Sequence, residues 1–513
     1  MQEGGDGMSA PRKRALVLTG ILTTVSVLPA AAAQDPPAAP TAPAPGDKRP
    51  RAPKASADVP LAGYKSGSFY VRSPDDSARL YLNGRLQADQ YNYFAAGAED
   101  AGLHSTFLLK RLNIELSGEF KKTWQFSFQI DGGPTALDPT TQNAAFRVAP
   151  SIAYLNFKAA PELNIQIGQT LAPFTFEGRS PSKKKVFLEN GLPQQLGAPS
   201  ALEIGAMAWG EVEKQVFVYE VGVFSGDGAN RLSPDNRVDV IGRLWSKPLA
   251  LGDTALKDAQ IGGSIRAGSR EQDYVFYDYP GMATQGGFRF WRPTYRSADN
   301  LVHIIPSGNQ LGVAAELRIP VDRFDLTGEL VYLDNGTREA LDTMQSTTTE
   351  RRGSLSGFAS YAQVGVWLFG PRDIYGQPGV HRVSTVNLAK PEKPMESALY
   401  VVARGEMMRA SYSSAARGGA PAARNVDGDI NVNALLLGVS YWPMSLVRLS
   451  ANYCIYDFPD SGPTSADPAD PGAAQTSAQR AVAPGNTLPV GADSDARSAH
   501  TLHELLFRFQ IGF

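Results

Sequence analysis

The segment LHELLFRFQIGF, residues 502–513, decides the fold. Large apolar side chains alternate in it with mainly polar ones, and the apolar face consists of Leu505, Phe507, Phe509, Ile511 and Phe513. A period of two is typical of a β-strand. A closing strand that is apolar on one face, polar on the other and ends on Phe predicts a barrel in lipid, with the apolar side chains outside.

The same alternation recurs from residue 77 onward. Segments of about ten alternating residues, each followed by a turn or a loop, predict antiparallel strands. The predicted strands lie near residues 80–91, 108–120, 124–131, 151–158, 162–169, 202–213, 215–224, 237–246, 259–269, 309–320, 323–333, 355–368, 397–411, 430–442, 445–457 and 500–513.

The connections between these strands are alternately short and long, apart from 247–258 and 369–396. We expect the second of these, which is rich in Pro and Gly, to tuck into the mouth of the barrel. Short periplasmic turns and long external loops are typical of outer-membrane proteins. The sequence therefore predicts an all-β fold, a 16-stranded antiparallel transmembrane β-barrel with short periplasmic turns and long extracellular loops.

The N-terminal region predicts two further segments before the barrel. A basic flank, an apolar run and a stretch of alanines indicate a secretory signal peptide over residues 1–33. The alternative is a membrane anchor, but the apolar run is shorter than the ~20 residues that a spanning helix needs. Residues 34–76 are rich in Pro and Ala and predict a mobile periplasmic linker. The barrel is predicted to occupy residues 77–513.

Composition argues against several other classes of function. The formal net charge of -2 gives no electrostatic reason to bind nucleic acid. The single cysteine, Cys454, cannot form a disulfide within the chain. His500 and His503 are spaced closely, but a His-x-x-His pair without a full set of ligands is only a weak metal signal, so no metal site is predicted. We find no nucleotide-binding loop, no nucleophile elbow and no set of catalytic residues, and therefore expect neither a cofactor nor an enzyme.

Strand alternation also predicts which side chains line the lumen. If the apolar face contacts lipid, arginines on many strands point inward and form a cationic track that would attract anions. The alternative is that these arginines pair with inward carboxylates and only brace the wall. The predicted lumen arginines are Arg85, Arg111, Arg243, Arg266, Arg318, Arg404, Arg448 and Arg508.

One long loop, near residues 170–201, has an unusual concentration of positive charge. It contains Arg179, Lys183, Lys184 and Lys185 between short aromatic segments. A loop of this length that folds into a porin can narrow it, which would place these cations at a constriction. The alternative is a solvated external loop whose charges contact anionic lipopolysaccharide.

Several stretches, in their order and spacing, resemble the phosphate-selective porin O and P family of bacterial outer membranes. Early strands, the entry to the long loop and the penultimate hairpin all show this similarity. The stretches are Phe107–Phe120, Trp124–Asp131, Ala153–Leu155, Ile167–Glu177, Ser180–Glu189, Leu437–Pro443 and Arg448–Tyr453.

The resemblance implies a 16-stranded and usually trimeric barrel in which basic loop residues and an arginine track guide anions. By loop position, Lys183, Lys184, Lys185 and Arg179 correspond to the constriction. We therefore expect a porin in the outer membrane of a Gram-negative bacterium, passing small hydrophilic solutes, above all anions such as phosphate. Expected partners are these solutes, outer-membrane lipid and lipopolysaccharide, two further copies of the chain, and the barrel-assembly machinery, for which Phe513 is the predicted signal. A general non-selective porin, a secreted β-rich adhesin and a barrel enzyme remain the alternatives.

Overall fold

The computed structural model describes most of the chain from residue 59 onward. The predicted signal peptide, the first part of the predicted linker and His500 lie outside the described residues. The described ranges are 59–94, 103–134, 146–197, 201–274, 277–291, 293–297, 300–341, 349–374, 376–390, 396–413, 428–458 and 501–513.

Sixteen antiparallel strands form a closed barrel, because the last strand pairs with the first. Each strand also pairs with its sequence neighbour in the barrel. Closure leaves no open sheet edge in lipid, where an unpaired backbone group costs several kcal/mol. The barrel strands are β3 (Ala78–Phe94), β4 (Thr106–Phe120), β5 (Trp124–Pro134), β6 (Phe146–Ala160), β7 (Leu163–Leu171), β8 (Leu202–Val212), β9 (Phe217–Phe224), β10 (Asp239–Ser246), β11 (Gln260–Arg270), β15 (Asn300–Val321), β16 (Phe324–Leu341), β17 (Thr349–Phe369), β18 (Ala398–Ser413), β19 (Gly428–Met444), β20 (Val447–Asp457) and β21 (Thr501–Gly512). The predicted fold class is confirmed.

The two faces of each strand are chemically distinct, as the last strand illustrates. Phe507 and Phe509 are 39% and 42% exposed on the outside, whereas Arg508 and Gln510 are 4% and 1% exposed on the inside. Apolar side chains outside and polar side chains inside are the arrangement of a barrel in lipid. Among the described residues, no helix is long and apolar enough to cross a membrane.

A β-hairpin precedes the barrel, inside the segment that the sequence predicted to be a mobile linker. Its strands are β1 (Ala62–Lys65) and β2 (Ser68–Arg72), joined at Gly67, whose φ of +82° favours glycine. Strand β2 pairs with β3 over residues 79–82, just below the part of β3 that pairs with β21. The linker prediction is therefore wrong for the hairpin. The hairpin strands are too short for an alternating pattern to be recognised in the sequence. Strand β2 hydrogen-bonds to the part of the β3 edge that β21 does not cover.

Three connections fold into the barrel. Two connections enter from the extracellular side. The first is the constriction loop (172–197), with a 3-10 turn at Ser182–Lys184 and helix α1 (Leu192–Gly197). The second is the segment between β11 and β15, of which residues 271–274, 277–291 and 293–297 are described. That segment contains β12 (Met282–Ala283), β13 (Arg289–Trp291) and β14 (Thr294–Ser297). From the periplasmic side enters the connection between β17 and β18, of which residues 370–390 are called the strap below. A second 3-10 turn, Glu213–Gln215, joins β8 and β9.

Candidate pore constriction

The constriction loop is fixed inside the lumen by hydrogen bonds from the barrel wall. Arg448 on β20 donates to the carbonyl oxygens of Lys185 and Val186, both at 2.7 Å. Arg508 on β21 donates to the carbonyl oxygen of Leu188 at 2.7 Å. Charged donors to backbone carbonyls form strong hydrogen bonds in a site sheltered from water. The loop is therefore held across the lumen and does not extend into external solvent.

Apolar packing supports the same position of the loop. The side chains of Phe174, Phe187, Leu192 and Leu196 are all buried. Three of them join a core that includes inward residues of β16 to β21. This packing fills part of the lumen on that side, so the remaining space lies against the opposite wall.

The strap crosses the lumen beneath the constriction loop. Arg382 forms an ion pair with Glu220 on β9 at 2.7 Å, and its guanidinium lies 3.9 Å from the centre of the Trp209 ring. Farther along the chain, the carbonyl oxygen of Ser384 accepts a hydrogen bond from Ser117 on β4 at 2.8 Å. The strap therefore ties the β8–β9 wall to the β4 wall and narrows the barrel from the periplasmic side.

A cavity of about 1060 Å³ lies between the constriction loop, the strap and strands β3–β6. Nine Lys or Arg side chains line it against four Asp or Glu side chains, which leaves a formal excess of five positive charges. The cations are Lys65, Arg85, Arg111, Lys183, Lys184, Lys185, Arg372, Arg382 and Lys390, and the carboxylates are Glu115, Asp131, Asp373 and Glu396. The charge excess in this cavity contrasts with the chain as a whole, which has a net charge of -2.

The three lysines of the loop, Lys183 to Lys185, form a basic turn that borders this cavity and a smaller one of about 70 Å³. Lys184 Nζ donates to the carbonyl oxygens of Gln377 and Val380, both at 2.9 Å. Lys185 Nζ donates to the Asn190 side chain. Lys183 makes no hydrogen bond or ion pair within the described part of the chain, so no protein group holds its ammonium in place. Burial lowers the pKa of Lys183, and the Glu115 carboxylate offsets part of that effect.

Burial influences the ionisation of the basic turn. It is the largest factor that lowers the pKa of Lys184, to about 7, and nearby cationic side chains lower it further. Burial also lowers the pKa of Lys185, to about 8. The positive charge of this turn therefore depends on pH near neutrality.

Arg179, the fourth loop residue predicted from the sequence, does not line the cavity. Its side chain is fully buried and pairs with Glu220 at 2.9 Å. A loop position alone could not distinguish an arginine that points into the channel from one that points into the wall. Arg179 therefore anchors the loop to the barrel wall and does not lie at the constriction, where the sequence had placed it.

Of the eight predicted lumen arginines, all lie on the inner side of the barrel, but only Arg85 and Arg111 line the large cavity. Arg85 donates to the Asn113 side chain and to Ser182 Oγ, the latter at 2.8 Å. Arg111 pairs with Glu189 of the constriction loop at 3.2 Å. These two arginines face the basic turn from strands β3 and β4.

The other six arginines are bound within the wall or to the inserted segments. The ion pairs are Arg243–Glu316 at 2.7 Å, Arg266–Asp239 at 2.6 Å, Arg318–Asp325 at 2.6 Å, Arg404–Glu177 at 3.0 Å and Arg508–Asp89 at 2.6 Å, and Arg448 binds the loop carbonyls described above. Three of them, Arg318, Arg404 and Arg448, also line the smaller cavity, but each of the six is held by the contacts just given. The alternative considered for the sequence, bracing by inward carboxylates, describes these positions.

Sequence reasoning missed several cations near the channel. Lys110 points inward together with Arg111, because a β-bulge in β4 interrupts the alternation there, and Lys110 pairs with Glu189 at 3.3 Å. Lys65 comes from the hairpin, and Arg372, Arg382 and Lys390 come from the strap. Alternation cannot find residues in irregular segments. For the cations of the strap, the sequence offered one hint: the Pro- and Gly-rich connection that contains them was expected to enter the barrel mouth.

No cluster of three or more metal-binding side chains occurs among the described residues. His503 lies on the outer side and shares a hydrogen bond with Tyr453 at 2.7 Å. Cys454 is buried on the inner side of β20.

A closed barrel with an apolar outer surface, a charged interior and an inward-folded loop defines the class of outer-membrane porins. The protein is located in the outer membrane of a Gram-negative bacterium, and its architecture is that of a channel rather than an enzyme. The model of the family described as phosphate-selective porin O and P matches residues 80–252. This match confirms the resemblance to that family and spans β3 to β10.

Solved outer-membrane proteins are similar to the chain at low identity. In-vitro folded OmpT of Vibrio cholerae is 10% identical, with a TM-score of 0.45, over 85% of this chain and 98% of that one. The outer membrane channel DcaP of Acinetobacter baumannii is 10% identical, with a TM-score of 0.45, over 88% and 100%. An anion-selective porin from Comamonas acidovorans is 9% identical, with a TM-score of 0.40, over 85% and 100%. No curated protein sequence matches the chain.

Proposed function

We propose that this porin passes small hydrophilic anions by passive diffusion, and that phosphate is among them. The observation behind the proposal is the excess of five positive charges around the large cavity. A water-filled passage lined by one sign of charge concentrates the opposite ion and repels like charges. Guanidinium and ammonium groups also suit the oxygens of phosphate and carboxylate.

We infer that the cations closest to a passing anion are those of the basic turn together with Arg85 and Arg111. Lys183 supports this because its ammonium has no hydrogen-bond partner among the described residues, while Arg85 lies on the facing wall. Glu115 and Asp131 border the same cavity and offset part of the charge. Selectivity for anions over cations is therefore expected to be moderate.

The remaining assignments accompany this proposal. Residues 1–33 are a signal peptide for export, and the residues that follow, up to the hairpin, are a periplasmic linker. Three copies of the chain form the functional unit. The barrel-assembly machinery recognises β21 together with Phe513, and lipopolysaccharide contacts the external surface.

The test is a measurement of reversal potential in a planar bilayer across a KCl gradient, before and after phosphate replaces chloride. We expect an anion-selective conductance that phosphate partly blocks, because a phosphate ion would reside longer at the basic turn. The triple variant Lys183→Gln, Lys184→Gln, Lys185→Gln should reduce both the selectivity and the block. An unselective or cation-selective conductance in the unmodified protein would leave a general porin and reject anion selectivity.

A further inference from the structure

Three arginines from separate parts of the chain converge on one carboxylate, that of Glu220 on β9. Arg179 of the constriction loop lies 2.9 Å from Oε1, and Arg382 of the strap lies 2.7 Å from the same atom. Arg243 on β10 lies 3.4 Å from Oε2. Glu220 is 1% exposed, so these contacts are shielded from water.

The two inserted segments also contact each other beside this carboxylate. The backbone N–H of Gly379 in the strap donates to Ser180 Oγ in the constriction loop at 2.6 Å. Arg243 donates to the carbonyl oxygen of Gly379 at 2.7 Å. Gly379 has a φ of +70°, and a Cβ at this position would lie 2.5 Å from the Phe176 ring. Loop, strap and wall therefore meet closely at one place.

We propose that Glu220 is a positioning residue that latches both the constriction loop and the strap to the barrel wall, and thereby sets the width of the pore and the place of its basic turn. The part concerning selectivity rests on the proposed function. The part concerning width does not, because it depends only on where the inserted segments lie.

Electrostatic attraction holds the inserted segments at Glu220. A buried guanidinium is stable only with a nearby compensating charge, and removing one partner of a buried pair leaves the other uncompensated. Without the Glu220 charge, Arg179 has no carboxylate partner among its described contacts. Arg382 keeps one ion pair, with Glu211 at 3.0 Å, and its contact with the Trp209 ring. Both arginines would move toward water, and the segments that contain them would leave their places in the lumen.

The decisive variant is Glu220→Gln, compared with Glu316→Gln as a matched control. Glu316 also binds Arg243, at 2.7 Å, and its loss changes the charge equally, but its described contacts belong to the barrel wall. We expect Glu220→Gln to raise single-channel conductance by at least about 1.5-fold and to weaken anion preference, since a wider pore exposes solutes less to its charges. The control should retain the original conductance.

Two outcomes would reject this role of Glu220. If Glu220 acted only through its charge, its removal would leave conductance unchanged and strengthen the preference for anions. Equal effects of Glu220→Gln and Glu316→Gln would also reject the proposal. Heat-modifiable migration on a gel verifies that each barrel is folded before it is measured.

If Glu220→Gln gives no folded barrel, a second variant tests whether the strap is held at Glu220. Arg382→Gln removes the contacts of this strap residue with Glu220, Glu211 and the Trp209 ring and changes no residue of the barrel strands. The flux of uncharged sugars into liposomes should rise for this variant, and an unchanged flux would overturn the latch. Because sugars carry no charge, this readout separates failure of the latch from failure of anion selectivity.

Discussion

Neutralising Lys183 tests most directly how the charge of the cavity acts on solutes. Lys184 and Lys185 donate hydrogen bonds that also hold the loop. Lys183 has no such contact among the described residues, so Lys183→Gln removes a charge with little other change. The excess of positive charges around the cavity falls by one.

The size of the effect follows from Coulomb's law. A unit charge about 6 Å from an anion in water contributes about 0.7 kcal/mol. At 0.1 M salt, where the Debye length is about 10 Å, screening reduces this to about 0.4 kcal/mol. The charge favours anions and disfavours cations by this amount. Its loss should therefore lower the ratio of anion to cation permeability about fourfold.

The assay is the reversal potential in a planar bilayer at 0.1 M mean salt, repeated at about 1 M, where the Debye length is about 3 Å and the effect should largely disappear. Lys257→Gln is the matched control, because Lys257 is exposed on the connection between β10 and β11. Equal shifts of the reversal potential in both variants, or a Lys183→Gln shift that is the same at both salt concentrations, would show that the Lys183 charge does not act on passing ions.

Three further outcomes are expected. Because burial lowers the pKa of Lys184 to about 7, its positive charge is present below that pH and is lost as the pH rises through it. Anion preference should therefore fall between pH 6 and pH 8 by up to about fourfold, and reversal potentials of Lys184→Gln should show a smaller change. Gly168→Val should cost more than about 3 kcal/mol of folding free energy, because φ is +130° there and a Cβ would lie 2.2 Å from a backbone oxygen. Gly405→Val, with no atom within 4 Å of the added Cβ, should refold normally on a heat-modifiability gel. Tyr70→Ala should loosen the N-terminal hairpin, since Tyr70 packs against Leu388 of the strap, and limited proteolysis should then cut within residues 59–77 while the barrel resists.

The barrel strands were predictable because lipid imposes a simple rule on every spanning strand. Phe507 and Arg508 are adjacent in sequence and must face opposite environments, so their alternation is visible without a structure. The predicted strand near 309–320 is real but begins earlier, at Asn300. Residues 302–305 of this extension are all buried, because β14 and the inserted segment pack on them, so no alternation marks its start.

The inner surface was predictable only in part. Alternation placed Arg85 and Arg243 correctly on the inner side, but it could not tell which of them faces open space. Arg85 lines the cavity, whereas Arg243 is enclosed by Glu316 and Glu220. The partners of Arg243 could not be read from the local pattern, because Glu316 and Glu220 lie 73 and 23 residues away in sequence.

The barrel, its strand number and the inward direction of its polar side chains can all be predicted from the sequence, because they follow from a local pattern with a period of two. Which cations meet solutes depends on the folded chain. The constriction loop and the strap are irregular segments, and their positions depend on long-range contacts such as those of Glu220 with Arg179 and Arg382. Such contacts form only once the closed barrel brings distant strands together.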